Sequence, residues 1–482
     1  MAEATRHIVH KLIVEVSTNS KETGYAIKED AAGFISGRIV PGLEELFSEL
    51  ERKLKGNVLS VDRLSIEVAG KNADLKSGDI DRLVCTAIER ELEKNVFEPE
   101  ASSHESDGEA PARVISGEQR QLNAVFYFLR TGQKPWWIPD NETMSTLLQA
   151  VSLEELAATN PEELVRELSV PNAGTFVRRL MFQLPEKVLL LWFHTAFRFL
   201  NKSQEKSIPK KQLSSIMSTA SRIEWWIELL AAVRIYRNSG ALSKADLYRI
   251  IRLIASEKAK EQELRPAVVF VENLTGCAIS VEEFLEQNAQ EKRKVDAENQ
   301  LEELQKDPSG DAIAAVDAAT EQAPLENAGL ILLHPFLKHF FSQTGLLQEN
   351  ELTDPELAAH ALHYLATGKE QDWEHTLQFE KFLCGIPALH PVKREVEISA
   401  EIKEAADDLL KAAMDYWTGL RSTSPELLRV EFLQREAKII DEGHASRLVF
   451  ERKTHDILLD SLPWNLGIVK LSWHANLLYV EW

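Results

Sequence analysis

The stretch Asn327 to Leu347, NAGLILLHPFLKHFFSQTGLL, constrains this chain more than any other. Leu330, Leu333, Leu337, Phe340 and Phe341 recur at helical spacing, and Ile331, Leu332 and Phe336 fill much of the opposite side. A helix apolar nearly all round has to be buried. It is a poor membrane span, because His334, Lys338 and His339 interrupt its 21 residues. Pro335 either starts a second helical segment or kinks the first. Gly345 followed by two leucines predicts a left-handed C-cap with its hydrophobic contact. This stretch is expected to form the central helix of a C-terminal domain.

Composition narrows the partners. The 482 residues suggest two to four domains. With 76 acidic and 55 basic residues the net charge is −21. That argues against nucleic acid, whose recognition needs concentrated Lys and Arg, and against an anionic membrane surface. Cys85, Cys277 and Cys384 are far apart and form no CxxC pair, so a reducing cytosol is favoured over a disulfide framework. The amino terminus lacks the pattern of a signal peptide, and no window is apolar enough for a transmembrane helix.

In chain order, residues 1–96 predict a small α+β module. His7 to Val16 alternates like a strand, Glu22 to Leu54 has helical period with a kink or restart at Pro41-Gly42, and Leu59 to Ala69 is a second strand. A helix using Ile80, Leu83, Val84, Ile88 and Leu92 follows. Two strands make a marginal sheet, so the module calls for pairing elsewhere in the chain or in another subunit. Residues 97–112 are an acidic, Ser- and Pro-containing tether.

Residues 113–289 predict a helical domain, with helices over Gln119 to Arg130, Thr143 to Leu168, Ala173 to Asn201, Lys211 to Ile235, Leu242 to Glu257 and Ser280 to Gln287. Trp136, Trp137, Trp192, Trp225 and Trp226 are expected in its core. Residues 290–324 turn charged and then small and acidic, which predicts a frayed helix and a flexible linker.

Residues 325–482 predict a helical domain ending in strands. Asp354-Pro355 and Ser424-Pro425 have capping logic for two helices, the second running through Leu433. Short helical and longer amphipathic patterns cover Thr376 to Leu383 and Ser399 to Leu420, and strands are expected over Arg447 to Arg452, Gly467 to Trp473 and Leu477 to Trp482. An internal echo links the two helical parts. Phe128-Leu129-Arg130-Thr131-Gly132 with Trp137 matches Tyr364-Leu365-Ala366-Thr367-Gly368 with Trp373. Each copy predicts a Thr-Gly helix stop with a tryptophan folded back. The fold class expected for the whole chain is α+β, predominantly α-helical.

Chemistry is sparse. His334, His339, His360, His363 and His375 cluster in sequence, with His360 and His363 one helical turn apart, but the carboxylate of an HExxH site is missing. Gly368-Lys369 lacks the upstream glycine of a phosphate loop, and neither a nucleophile elbow nor a dinucleotide turn occurs. Asp456 and Asp460, at i and i+4, are expected on one solvated face. No catalytic, cofactor or metal residue is expected, and neither is an enzyme.

Three segments carry a resemblance. They are Asn327 to Leu337 (NAGLILLHPFL), Phe432 to Glu436 (FLQRE) and Asp456 to Trp482, in that order. Together they resemble the tape measure proteins of bacterial contractile injection systems. The resemblance implies a structural or assembly component of a phage-tail-like particle, whose partners are tube, baseplate or cap proteins, with homo-oligomerisation open. It implies the bacterial cytoplasm and incorporation into the particle. Leu333, His334, Pro335, Phe336, Phe340, Trp137, Trp373, Phe432, Arg435, Trp464, Trp473, Tyr479 and Trp482 are the structural or interaction candidates, with Trp417 added for the fold. A ruler would need an extended part, and a helix over Ser280 to Pro324 spans only roughly 70 Å. A cap or adaptor, or a cytosolic escort for a basic client, remains the alternative.

Overall fold

The computed structural model describes residues 7–9, 11–54, 57–61, 63–69, 79–92, 112–138, 144–170, 174–202, 219–254, 261–287, 324–421, 423–441, 445–474 and 476–482. The chain divides into two compact units, residues 1–123 with 139–142, and residues 124–138 with 143–482. The tether expected at 97–112 and the linker expected at 290–324 lie almost wholly outside the described residues. The architecture is α+β and predominantly helical.

The first unit is built on helices. Helix α1 (Lys21–Glu29) starts at Ser20, whose hydroxyl accepts from the Thr23 amide. Asp30 then ends α1 and caps α2 (Ala31–Phe34). A π-turn, Ile35–Ile39, leads into α3 (Val40–Leu54). The Val40 amide bonds to Ile35, five residues back, just before Pro41. A proline ring clashes with the carbonyl four residues earlier, and the wider π-turn makes room for it. So the kink expected at Pro41-Gly42 is spread over the preceding turn. Phe34, Ile39, Leu43, Leu46 and Leu50 pack with Ile88 and Leu92 of α4 (Asp79–Leu92).

The strands of this unit differ from expectation. Residues 7–9 and 11–16 form no strand. Val14 and Val16 instead lie against the helical core, which covers one apolar face without a ladder. Among the described residues of Leu59 to Ala69, only the first ones pair, in β1 (Val58–Val61). Its antiparallel partner is β2 (Ala112–Ile115), which starts on the last residue of the acidic tether and covers the opening of the expected helical domain, ahead of the helix expected from Gln119. The pairing partner that the module called for therefore comes from its own chain.

Helix α5 (Gly117–Thr131) enters the second unit, whose first part is a helical stack. Thr143 to Leu168 is broken into α6 (Met144–Leu147), α7 (Ala150–Thr159) and α8 (Pro161–Ser169). Asn160-Pro161 makes the second break. Pro185 likewise splits the next stretch into α9 (Gly174–Gln183) and α10 (Glu186–Asn201). Then come α11 (Thr219–Ser239), α12 (Lys244–Ile254), α13 (Glu261–Thr275) and α14 (281–287). Helix α13 was not apparent in the sequence, because Pro266 lies inside it. Helix α10 packs on α7, α8, α11 and α13. Trp192, Trp225 and Trp226 are buried as expected, whereas Trp136 is exposed.

In the remainder, the expected central helix starts as a 3₁₀ segment, Ala328–Leu333, wholly buried, and becomes α15 (His334–Gln343) at Pro335. Gly345 has φ +72° and the Leu346 amide reaches back to the Phe341 carbonyl, the left-handed cap expected there. A short hairpin follows, β3 (Leu347–Gln348) and β4 (Glu351–Leu352), with Glu349 and Asn350 both at positive φ. Asp354 caps α16 (Pro355–Thr367), and α17 (Gln378–Leu383), α18 (Ala400–Tyr416) and α19 (Pro425–Leu428) follow. Helix α19 runs into a π-turn, Arg429–Leu433. The sheet has four strands, not three. Its order is β5 (Ala437–Asp441), β6 (Ala445–Phe450), β8 (Leu477–Glu481), β7 (Ile468–Val469), with β6 and β8 parallel. β5 escaped notice because its apolar run is only Ile439-Ile440.

Candidate functional site: a motif hub and a buried charge seam

The three sequence segments singled out above meet in space. Gly329 lies so close to the π-turn that a methyl group built on it would overlap the Phe432 carbonyl oxygen. The Ala328 amide donates to the Arg435 carbonyl at 2.8 Å, and Leu325 and Ala437 exchange both backbone hydrogen bonds. Trp464 donates its indole N–H to the Leu332 carbonyl (3.0 Å), and His334 Nε2 lies 3.1 Å from the Asn465 carbonyl. Phe336 sits between Trp464 and Tyr416. Leu333 and Phe340 are buried, and Pro335 is the first-turn proline of α15.

The terminal block closes over this hub. Arg435 is buried and grips Asp456 with both terminal nitrogens, at 2.6 and 3.2 Å, while also donating to the Glu451 carbonyl. Asp456 therefore leaves the solvated face expected for it. A 3₁₀ turn, Thr454–Ser461, replaces the helical i, i+4 geometry and turns its carboxylate inward. Trp482 stacks on Phe450, with the Arg435 guanidinium over its ring. Phe432 packs edge-on to Trp417. Trp473 donates to the Leu383 carbonyl and packs on Phe341. Tyr479 is the exception: it points outward and is 37% exposed.

A second feature lies away from these motifs. Arg179, on α9, Glu374, in the 3₁₀ turn Glu374–Leu377, and Lys381, on α17, are each 0% exposed in their side chains. Arg179 meets Glu374 in a two-pronged pair at 2.8 and 3.1 Å. Its remaining donors go to the carbonyls of Leu129, Arg130 and Leu389. Lys381 bonds Glu374 and the carbonyls of Ala388 and His390, all at 2.7 Å. Gln183 accepts from the Glu374 amide and donates to the Val392 carbonyl. Gln378 donates to the Gly132 carbonyl. Burial pushes Lys381 below its ordinary pKa, against the pull of Glu374. This seam ties α5 and α9 to the segment 373–392.

Beside it, His363 is held between Glu380 (2.9 Å) and Asp372 (3.6 Å). Burial alone would lower its pKa, but the two carboxylates outweigh that and hold it at about 9. Asn327 donates to Glu380 and to the Thr376 carbonyl. His360, one turn away, faces the Lys393 carbonyl instead. Among the described residues no three His, Cys, Asp or Glu side chains converge as a metal site would require.

Residues 6–482 match the family model described as contractile injection system tape measure protein. The chain belongs to this family. Searches of the curated proteins and of the solved structures returned no match. In this tape measure family member, Trp137 and Trp373, which follow the two Thr-Gly stops, have different surroundings. Trp137 packs edge-on to Tyr127 and is half-buried. Trp373 is buried under Arg394, 3.7 Å from its ring. Among the described residues no helix is long and apolar enough to cross a membrane.

The seam residues were not singled out from the sequence. A usable signal existed: Arg179 falls three residues after Phe176, and Glu380 and Lys381 fall three and four after Leu377. These are charges on faces where helical period demands apolar side chains.

Proposed function

We propose that this chain acts as a folded, non-enzymatic assembly component of a contractile injection particle, working at the tube, its end or the baseplate rather than as an extended ruler. The observation that carries this reading is the seam. A ruler made from residues 113–289 would have to be unwound from the segment 373–392. That parts Arg179 from Glu374 and from the Leu389 carbonyl, and Gln183 and Gly132 from their partners on the same segment. Among the described residues the longest helix is α11, at 21 residues, which spans only about 32 Å. The proposed partners are other tail proteins of the particle, met in the bacterial cytoplasm where it would be built.

The test is to shorten or duplicate residues 290–324 and measure particle lengths by electron microscopy. Unchanged tube lengths support an assembly or capping role. Lengths that scale with the insert would establish a ruler. Purified sheathed particles that lack the protein would favour an escort that leaves before completion.

A further inference from the structure

Two segments of the first unit have the burial rhythm of strands and lack a ladder. Over residues 13–18 and 63–69 exposure alternates residue by residue. Val14, Val16, Leu64 and Ile66 turn in against the core of Phe34, Leu43 and Leu46. All of β1 pairs with β2. By contrast, among the described residues no backbone hydrogen bond is made by residues 11–16 or 63–69.

The first segment also leaves apolar surface in water. Ile13 is 78% exposed, more than any other large apolar side chain among the described residues, and Leu12 is 44% exposed. Lys11 and Glu15 flank Ile13 on the exposed face, and neither is paired with a described residue.

The order Lys11-Leu12-Ile13-Val14-Glu15 is complementary to itself when reversed. Laid antiparallel on a second copy with Ile13 facing Ile13, it sets Lys11 opposite Glu15 and Leu12 opposite Val14, each pair occurring twice. Residues directly opposite in a ladder share a face, and opposite charges and apolar pairs are favourable there. The two ion pairs and the Ile13 pair then lie on the outer face, and the Leu12–Val14 pairs on the face turned to the helices. The chain's own second segment is the poorer partner. Pairing Lys11 with Glu67 and Glu15 with Arg63 leaves Ile13 opposite Ser65.

We propose that residues 11–15 join two copies of this chain in an antiparallel two-stranded ladder, with Ile13 on the two-fold axis. The same patch then serves both copies, as a two-fold dimer requires. The bare backbone of each segment gains a partner, and Ile13 leaves water. This pairing belongs to the first unit alone, so it holds for an assembly component and for a ruler alike.

Ile13→Cys in the full-length chain, oxidised with copper phenanthroline in air, should give a reducible dimer on denaturing gels. Opposite residues of a ladder have Cα atoms about 4.5–5.5 Å apart, within disulfide reach. Val9→Cys is the control. Val9 is 53% exposed, yet eight residues of strand, about 26 Å, would separate it from its counterpart. In sedimentation velocity, Lys11→Glu and Glu15→Lys should each weaken the dimer at least about tenfold by setting like charges opposite one another, and the double variant should restore it. Both residues are exposed, so the melting temperature should stay within a few degrees. No cross-link at Ile13→Cys, an equal one at Val9→Cys, or no recovery in the double variant would each overturn the proposal. So would a chain carrying Ile13→Cys and Ser65→Cys that closes an internal disulfide and stays monomeric, since the second segment would then be the occupant.

Discussion

The hub around Ala328–Leu333 and the seam around Arg179 are equally buried and are held in opposite ways. The hub is apolar: six successive buried residues, packed by area and shape. The seam is three charges and a ring of carbonyls, each donor assigned. An apolar core degrades in proportion to the volume removed. A buried charge network fails when one member goes, because the others remain buried without a partner. The hub should therefore respond in a graded way, and the seam all at once.

The largest effect should come from removing the strand that joins the hub to the terminal sheet. β8 lies between β6 and β7, and Trp482 beyond it lies under Arg435. Deleting residues 477–482 should abolish cooperative unfolding of the second unit, followed by circular dichroism on heating. A truncated chain with unchanged melting would make the terminus peripheral and leave the hub self-sufficient.

Next is Arg179→Met, expected to cost about 3–5 kcal/mol in urea denaturation. Arg179→Lys keeps the charge and loses the fork, so most of that loss should remain. A Lys variant as stable as the parent would mean that charge alone holds the seam. In the hub, Leu333→Ala should cost about 2–5 kcal/mol with an unchanged denaturant slope. An all-or-none collapse at Leu333 would erase the distinction.

The same contrast decides what was legible in the sequence. The hub announced itself, since Leu330 through Phe341 have a period and Pro335, Gly345, Asp354 and Ser424 are punctuation whose physics is local. Helix breaks at Asp30, Asn160 and Leu184 were less visible, because the apolar period runs on across them. A third Thr-Gly stop, Thr275-Gly276 with φ +70°, closes α13 in the same manner, and Pro266 concealed that helix. Pairing is non-local, so β1 could not disclose β2 some fifty residues later. The seam was hidden for the same reason. Arg179 and Glu374 are 195 positions apart, and each alone resembles an ordinary surface charge. Of the named candidates, Arg435 was placed by its motif, but its partner Asp456 was assigned to solvent.

The smallest effect is a pH dependence with two limbs of opposite sign. His334, in the hub, and His360 and His375 are held at about 4, chiefly by burial. Their folded pKa lies below the ordinary 6.5, so they destabilise the fold as pH falls from about 6.5 to 4 and cost nothing above that. Glu326 is raised to about 7 by burial and by the nearby Glu436 and Glu380. Its ionisation weakens the fold as pH rises from its ordinary 4.5 through 7, and the loss is complete about one pH unit higher. His363, beside the seam, is raised to about 9. Its contribution is complete below 6.5 and is lost as pH climbs through 9. Between pH 8 and 9 His363 is thus the one of these five groups whose protonation still separates the folded from the unfolded chain. From pH 7 to 9 His363 should lower stability by on the order of 2 kcal/mol, read as a declining melting temperature. His363→Gln keeps a donor toward Glu380 without the titrating proton, so it should flatten that decline while leaving the acid limb intact. A decline that survives the substitution would assign the proton to another group and remove His363 from the charged layer.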